Sequence, residues 1–304
     1  MSKILVSGLI NIETTVKIPN FPLEYNPIHY SFFGVNSGVS GVGMNISKAL
    51  TVLGDSVNIL SMVGKDFEGE RAISTLRNLG VNTDFVENKL KTTPESVILY
   101  DENGRRQIHC DLKDIQDTSY DESLFKEAMN KCSTIILCNI NFSRPFLKIA
   151  REQGKIVATD VHVLSNIHDE YNSDFMKYSN ILFLSDENIN EPVEDFVKKI
   201  SEEYDNEIIV VGLGAKGALM YVKEDNFIGR FKAINTRKIV STIGAGDSLF
   251  SSFIHYYDKT KNPYESLQKA ILFASYKIGV AGAADGFATE EHLEELYKQH
   301  KNDF

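Results

Sequence analysis

Short, continuously apolar runs recur along this chain with helix-compatible stretches between them, and few folds accept that pattern. Ile4-Leu5-Val6, residues 57–63, 134–138, 156–160, 181–184 and 208–211 each last about a strand's length, with little of the polar alternation of a half-exposed sheet. Between them, Ile46, Ala49, Leu50 and Leu53 fall at helical spacing up to Gly54, residues 66–79 read as a helix ending at Gly80, and residues 144–153 as one closed by Gly154. Residues 193–204, 248–257, 263–280 and 289–300 read as further helices, the last opened by Thr289. A parallel sheet covered by helices on both faces satisfies this order.

Two segments depart from that rhythm. Residues 97–100 and 106–110 flank Asp101-Glu102-Asn103-Gly104, whose Asn-Gly pair suits a hairpin turn. Residues 9–35 run from extended, partly alternating residues into a stretch holding Pro19, Pro22 and Pro27, which suggests an edge or irregular excursion. The segments 9–35 and 92–114 are expected to form a small sheet over a site, that is, a lid, within a single domain spanning 1–304.

Three glycine-rich turns carry the chemistry. In Ile243-Gly244-Ala245-Gly246-Asp247-Ser248 a small-residue turn feeds an apolar helix, so free backbone N–H groups collect at a helix N-terminus and favour an anion. Asp247 either complements the helix dipole as a first-turn acid or takes a proton from a hydroxyl that attacks a bound phosphate. In Gly41-Val42-Gly43-Met44-Asn45 the glycines let a ligand approach the backbone, and Asn45 either caps the helix or offers a donor and an acceptor to a sugar hydroxyl. Glu13, just past the first strand, is either a solvated acid or a holder of substrate hydroxyls. Gly212-Leu213-Gly214-Ala215-Lys216-Gly217 fits G-x-G-x-x-G, but the β-like residues 218–222 that follow remove the strand-turn-helix context of a dinucleotide site. It is expected to be a hairpin turn or a turn against which a nucleotide packs.

A net charge of −10 argues against sequence-independent binding of nucleic acid. Cys110, Cys132 and Cys138 are odd in number and lack metal-like spacing, so free thiols are expected and no disulfide. His109, His162 and His255 likewise show no metal spacing and read as scattered polar residues. The apolar run after Met1-Ser2-Lys3 is too brief for a signal peptide and no stretch is long enough to span a bilayer, so a cytoplasmic location is expected.

The order of Asn11-Ile12-Glu13, Gly41 to Asn45, Met62-Val63-Gly64-Lys65-Asp66-Phe67-Glu68-Gly69, Gly214 to Gly217 and Gly244 to Asp247 resembles the PfkB (ribokinase-like) family of carbohydrate and nucleoside kinases over nearly the whole chain. The resemblance implies a Rossmann-like α/β sheet with a small β lid, ATP as donor, Mg²⁺, and phosphorylation of a hydroxyl of a small sugar. It makes Asp247 the catalytic base and the backbone of Gly244, Ala245 and Gly246 the anion hole; Glu13, Gly41 and Asn45 match substrate contacts. Gly214 and Gly217 match the nucleotide side, with Ser275 near the adenine.

Several positions differ from the family's usual residues. Glu13 stands where Asp is usual, and Val42 where many ribokinases carry Lys. The magnesium-ordering Asn-x-x-Glu falls at Ser185-Asp186-Glu187-Asn188, leaving Asp186 or Glu187 to substitute. Ser241 replaces an Asp that helps hold a monovalent cation in potassium-activated relatives, so no strong potassium requirement is expected. A nucleoside acceptor, with Phe32, Phe33 and Tyr100 stacking on a base, and a ligand-binding protein that lost turnover are the competing readings. The exposed edges of a lid sheet also give a route to a homodimer.

Overall fold

Residues 3–304 are described by the computed structural model. In chain order the strands are β1 (Lys3–Ser7), β2 (Asn11–Lys17), β3 (Val35–Ser40), β4 (Ser56–Gly64), β5 (Val86–Leu90), β6 (Glu95–Tyr100), β7 (Arg106–Asp111), β8 (Thr134–Leu137), β9 (Ile156–Val163), β10 (Ile181–Ser185), β11 (Ile208–Gly212), β12 (Ala218–Val222) and β13 (Phe227–Phe231). The helices are α1 (Val42–Val52), α2 (Phe67–Asn78), α3 (Glu122–Met129), α4 (Arg144–Glu152), α5 (Ser173–Tyr178), α6 (Val193–Glu203), α7 (Ala245–Thr260), α8 (Pro263–Lys277) and α9 (Glu290–His300).

The apolar runs pair into one sheet in the order β13-β12-β11-β10-β9-β8-β1-β4-β5. Its pairs from β5 to β11 are parallel, and β12 and β13 close one edge antiparallel. Successive side chains of a strand face opposite ways, so each run feeds two cores. Leu5, Leu60 and Ile135 pack with Phe125, Phe146 and Phe196 of α3, α4 and α6 on one face. Ile4, Val6 and Ile59 pack with Leu50, Leu76, Phe253 and Leu267 of α1, α2, α7 and α8 on the other. The expected mostly parallel sheet with helices on both faces is thus present. The runs of β5 and β13 and the short helices α3 and α5 were not marked by the apolar pattern, because edge strands and brief helices keep polar residues.

A second sheet, β3-β2-β6-β7, stands apart from the first. β6 and β7 fall within residues 92–114 and β2 within 9–35, while β3 runs from Val35 to Ser40. Register places Glu13 beside Gly38 and Ser96, and Ser96 beside Cys110, so these residues share one face of the lid. From that same sheet, Ile98 packs against Ile243 and Ala283 beside the α7 turn.

The Gly64-Lys65-Asp66 turn anchors the lid to the main sheet. Asp66 caps α2, its Oδ1 accepting from Gly69 N at 2.8 Å and from Thr93 Oγ1 at 2.6 Å, while its Oδ2 accepts from Thr93 N at 2.7 Å. Burial pushes the Asp66 carboxyl up, but these bonds outweigh it and hold its pKa below the ordinary value. A depressed carboxylate adds stability above its unfolded pKa and loses it as pH falls. Asp66→Ala is therefore expected to cost about 2 kcal/mol near neutrality, a cap plus charged hydrogen bonds. Urea unfolding should show the deficit as a lower midpoint at unchanged slope, shrinking below about pH 4. An equal deficit at every pH would refute the charge-based account.

Candidate active site

The strand order reverses between β1 and β8, which opens a crevice at their carboxyl ends. The chain leaves β1 through Gly8, and α1 begins against it so closely that a Cβ on Gly43 would lie 2.7 Å from the Gly8 carbonyl carbon. That approach requires glycine and sets Asn45 in the first turns of α1. Asn45 Nδ2 then donates to Asp247 Oδ2 at 2.7 Å, joining residues 202 positions apart. Ser40 Oγ lies 3.1 Å from Glu13 Oε2 and 3.3 Å from Asn45 Oδ1, within reach of giving its one proton to either. Three predicted residues, Glu13, Asn45 and Asp247, are thereby brought into one hydrogen-bonded row, with Gly41 at the N-cap of α1.

Asp247 lies in the first turn of α7, whose N-cap Gly244 is left-handed at φ 78 and carries no side-chain cap. A Cβ on Gly244 would sit 2.1 Å from the Ala283 carbonyl oxygen, so glycine is demanded there twice over. Gly246 faces open space, with nothing within 4 Å of a Cβ. Ala245 N donates to Thr242 O at 3.2 Å, so of the residues expected to form the anion hole Gly244 and Gly246, together with Asp247, keep N–H groups with no backbone acceptor among the described residues.

Burial is the largest influence on Asp247 and raises its pKa; Asn45 and the charges of His162 and Lys277 pull it down, and Asp160 pushes it up. Glu13 is raised chiefly by burial too, with the Ser40 hydrogen bond opposing and the Asp247 charge adding. Lys277 is wholly buried and its pKa falls to about 8, because burial outweighs the attraction of Asp247, Asp285 and Glu13. Both acids so resist ionisation more than free carboxyls do, which makes each a better proton acceptor once ionised.

The remaining predicted residues lie along the neighbouring strand ends. Gly214 opens a 3-10 turn, Gly214–Lys216, and Gly217 follows at φ 99, tight against the Phe231 carbonyl. Together they close the β11–β12 hairpin, which is why this glycine pattern is not a helix start. Ser275 Oγ accepts from Thr236 N at 2.9 Å and so holds backbone together. Asp186 follows β10, its N–H donating to Gly212 O at 3.1 Å, and Glu187 is exposed, 3.9 Å from Arg106 of the lid. No group of three or more His, Cys, Asp or Glu side chains among the described residues could cage a metal. One or two carboxylates at a strand end do suit Mg²⁺, which keeps water ligands and travels with phosphates.

Several further residues bear on the site. Asn11 is buried, donates to Ser96 Oγ at 2.9 Å, and leaves its Oδ1 without a partner, an acceptor waiting for a hydroxyl. Cys110 shares the Glu13 face of the lid and its thiol is pushed up, first by burial and then by the Glu13 charge. Asp160 accepts from the N–H of His162, which sits at φ 58. His255 is not a scattered polar residue: it is fully buried in α7, its Nδ1 2.7 Å from Asp55 Oδ2, and it fastens the Asp247 helix to the loop before β4. Only its place on the apolar face of α7 could have signalled that.

Known proteins resemble the chain along nearly its full length. The chain is 25% identical to a ribokinase of Dictyostelium discoideum, an alignment covering 96% of this chain and 99% of that protein. It superposes on a microbiome-derived acarbose kinase with a TM-score of 0.89 at 22% identity, over 98% of this chain and 99% of the other. It also superposes on an Arabidopsis thaliana ribokinase solved with ribose and ATP, with a TM-score of 0.81 at 20% identity, again over 98% and 99% of the two chains. No helix among the described residues is long and apolar enough to cross a membrane. The sequence model described as "pfkB family carbohydrate kinase" matches residues 1–290, and the chain belongs to that family.

Proposed function

We propose that this chain is an ATP-dependent kinase that phosphorylates a hydroxyl of a small sugar. The observation that carries the reading is Asp247, held by Asn45 at 2.7 Å in the first turn of a helix whose N-terminus has no side-chain cap. The ribokinase solved with ribose and ATP and the acarbose kinase support it, as does family membership. In the proposed step Asp247 takes the hydroxyl proton as the sugar oxygen bonds to the γ-phosphorus and the bond to the bridging oxygen of ADP breaks. The N–H groups at the start of α7 accept the charge spread over the transferred phosphoryl oxygens. Asn11 Oδ1, Glu13 and Asn45 hold sugar hydroxyls, which is a polar lining suited to a polyol. Gly214, with nothing within 4 Å of a Cβ, would leave backbone accessible to the nucleotide, while Gly217 seats that turn against the Phe231 carbonyl.

Mg²⁺, when bound with the nucleotide, neutralises phosphate charge, and Asp186 or Glu187 would order its waters. Phe32 and Phe33, the base-stacking platform of the competing nucleoside reading, stand 83% and 101% exposed and so would be free to stack on a base.

ADP release with Mg-ATP across pentoses, hexoses, keto-deoxy sugar acids and nucleosides tests the reading. One strongly preferred sugar is expected; a nucleoside turned over better than every sugar would overturn it. The pH profile gives a second check. Asp247 must be ionised to act, and its raised pKa places the acid limb of kcat/KM above the ordinary aspartate range near about 3.9. Asp160→Asn removes a negative charge that raises Asp247, so the limb should move to lower pH. A limb that stays put or moves upward would count against Asp247 as the titrating base.

A further inference from the structure

The mechanism above leaves one buried charge without a task. Lys277 ends α8 with no exposed surface, and its Nζ donates to two backbone carbonyls, those of Ile243 and Gly282. Ile243 immediately precedes the left-handed Gly244 at which α7 begins. Gly282, at φ 86, precedes Ala283, whose carbonyl oxygen is the atom pressed against Gly244. The ammonium thus bridges the two stretches of backbone that must lie together for the α7 turn to keep its shape. Ile98, Ile243 and Ala283 cover the place with apolar side chains.

A neutral amide could tie two carbonyls together without the large cost of burying an ammonium. The charge therefore calls for a role of its own. Asp247, Asp285 and Glu13 act on it as opposite charges and Arg237 as a like one. Ser241, in the same turn, is neutral and accepts from Ile243 N at 3.3 Å, so it contributes no carboxylate to the pair of carbonyls. Carbonyl oxygens gathered around a monovalent charge are the ligands that replace water around a bare ion of ammonium size.

We propose that Lys277 is a resident monovalent cation of the phosphoryl site, a positioning residue whose ammonium clamps the Ile243 and Gly282 carbonyls and so aims the first N–H groups of α7. Its catalytic consequence rests on the kinase reading above. Because the cation is covalently attached, the wild-type enzyme needs none from solution. Removing the side chain leaves the carbonyls in place for a free cation of similar size or a small alkylamine.

The test measures turnover of the accepted sugar with Mg-ATP at constant ionic strength, in choline chloride and after replacement by potassium chloride, ammonium chloride or ethylammonium chloride. Wild type is expected to vary less than about twofold. Lys277→Ala in choline should lose roughly 10²-fold or more in kcat, the scale of a lost oxyanion donor, with KM for the sugar little changed. Potassium, ammonium or ethylammonium should restore at least about tenfold along a saturating curve, a recovery that a merely structural lysine would not permit.

Wild type activated severalfold by potassium would overturn the proposal, and that measurement needs no variant to fold. So would Lys277→Ala that keeps wild-type kcat in choline, or that is folded by circular dichroism yet unrecovered by every cation. If wild type turns over no acceptor, the kinase reading has failed, and melting temperature decides the cation site by itself. A Lys277→Ala melting temperature raised by potassium or ethylammonium over choline, with wild type unmoved, upholds the site; equal responses in both proteins dismiss it.

Discussion

Asp247→Asn is expected to lower kcat by roughly 10²–10⁴-fold, the usual span for a lost general base, while sugar binding measured by calorimetry stays within a fewfold of wild type. The substitution keeps the side chain's size and leaves an oxygen that can accept from Asn45, so the row of Glu13, Ser40, Asn45 and residue 247 should persist. Stability carries an independent sign. Asp247 has its pKa raised by burial, which means that its ionised form is less comfortable folded than unfolded. A neutral amide removes that discomfort, and the variant should melt at the same temperature as wild type or higher. A variant that lost activity and melted several degrees lower would instead mark Asp247 as structural.

Gly246→Ala should separate stability from activity more sharply still. A Cβ there meets nothing within 4 Å, and glycine in a helix is less stable than alanine by up to about 1 kcal/mol, so the folded chain should gain. The same empty space is where the transferred phosphoryl group would approach the N–H groups, and a methyl there should cut kcat by about 10²–10³-fold. Gly244→Ala is the contrasting case. Its Cβ would fall 2.1 Å from the Ala283 oxygen at φ 78, so both stability and activity should drop. Denaturant titration beside initial rates reads all four quantities, and an active Gly246→Ala would mean that phosphate binds elsewhere.

The parts of this molecule legible in sequence are those where burial on two faces leaves no room for polar residues. Ile4-Leu5-Val6 and Ile208 to Val211 announce central strands because every side chain is covered. Val86 to Leu90 lies at an edge and carries Glu87, Asn88 and Lys89 in a row, and Val35 to Ser40 begins with three exposed residues and holds a glycine, so neither reads as a strand. At the site, Asp247, Asn45 and Gly41 stand out because their glycine neighbours are adjacent in sequence. Lys277 does not, since the carbonyl it holds at Ile243 is 34 residues away and its own surroundings are those of an ordinary helix end. Asp55 and His255, 200 residues apart, are invisible for the same reason.

Ile98 belongs to the lid, yet it rests on Ile243, whose carbonyl Lys277 holds, and on Ala283, next to the other held carbonyl at Gly282. In the proposed mechanism the sugar would be held by the sheet that carries Ile98 and the phosphate by the turn that carries Ile243, so the two ligands would bear on one apolar contact. Ile98 is already buried there, a burial of about 1.5–3 kcal/mol, so a shift of that contact caused by one ligand would be felt by the other. Such a coupling is symmetric by thermodynamic necessity: the factor by which the sugar tightens the nucleotide equals the factor by which the nucleotide tightens the sugar, whichever arrives first.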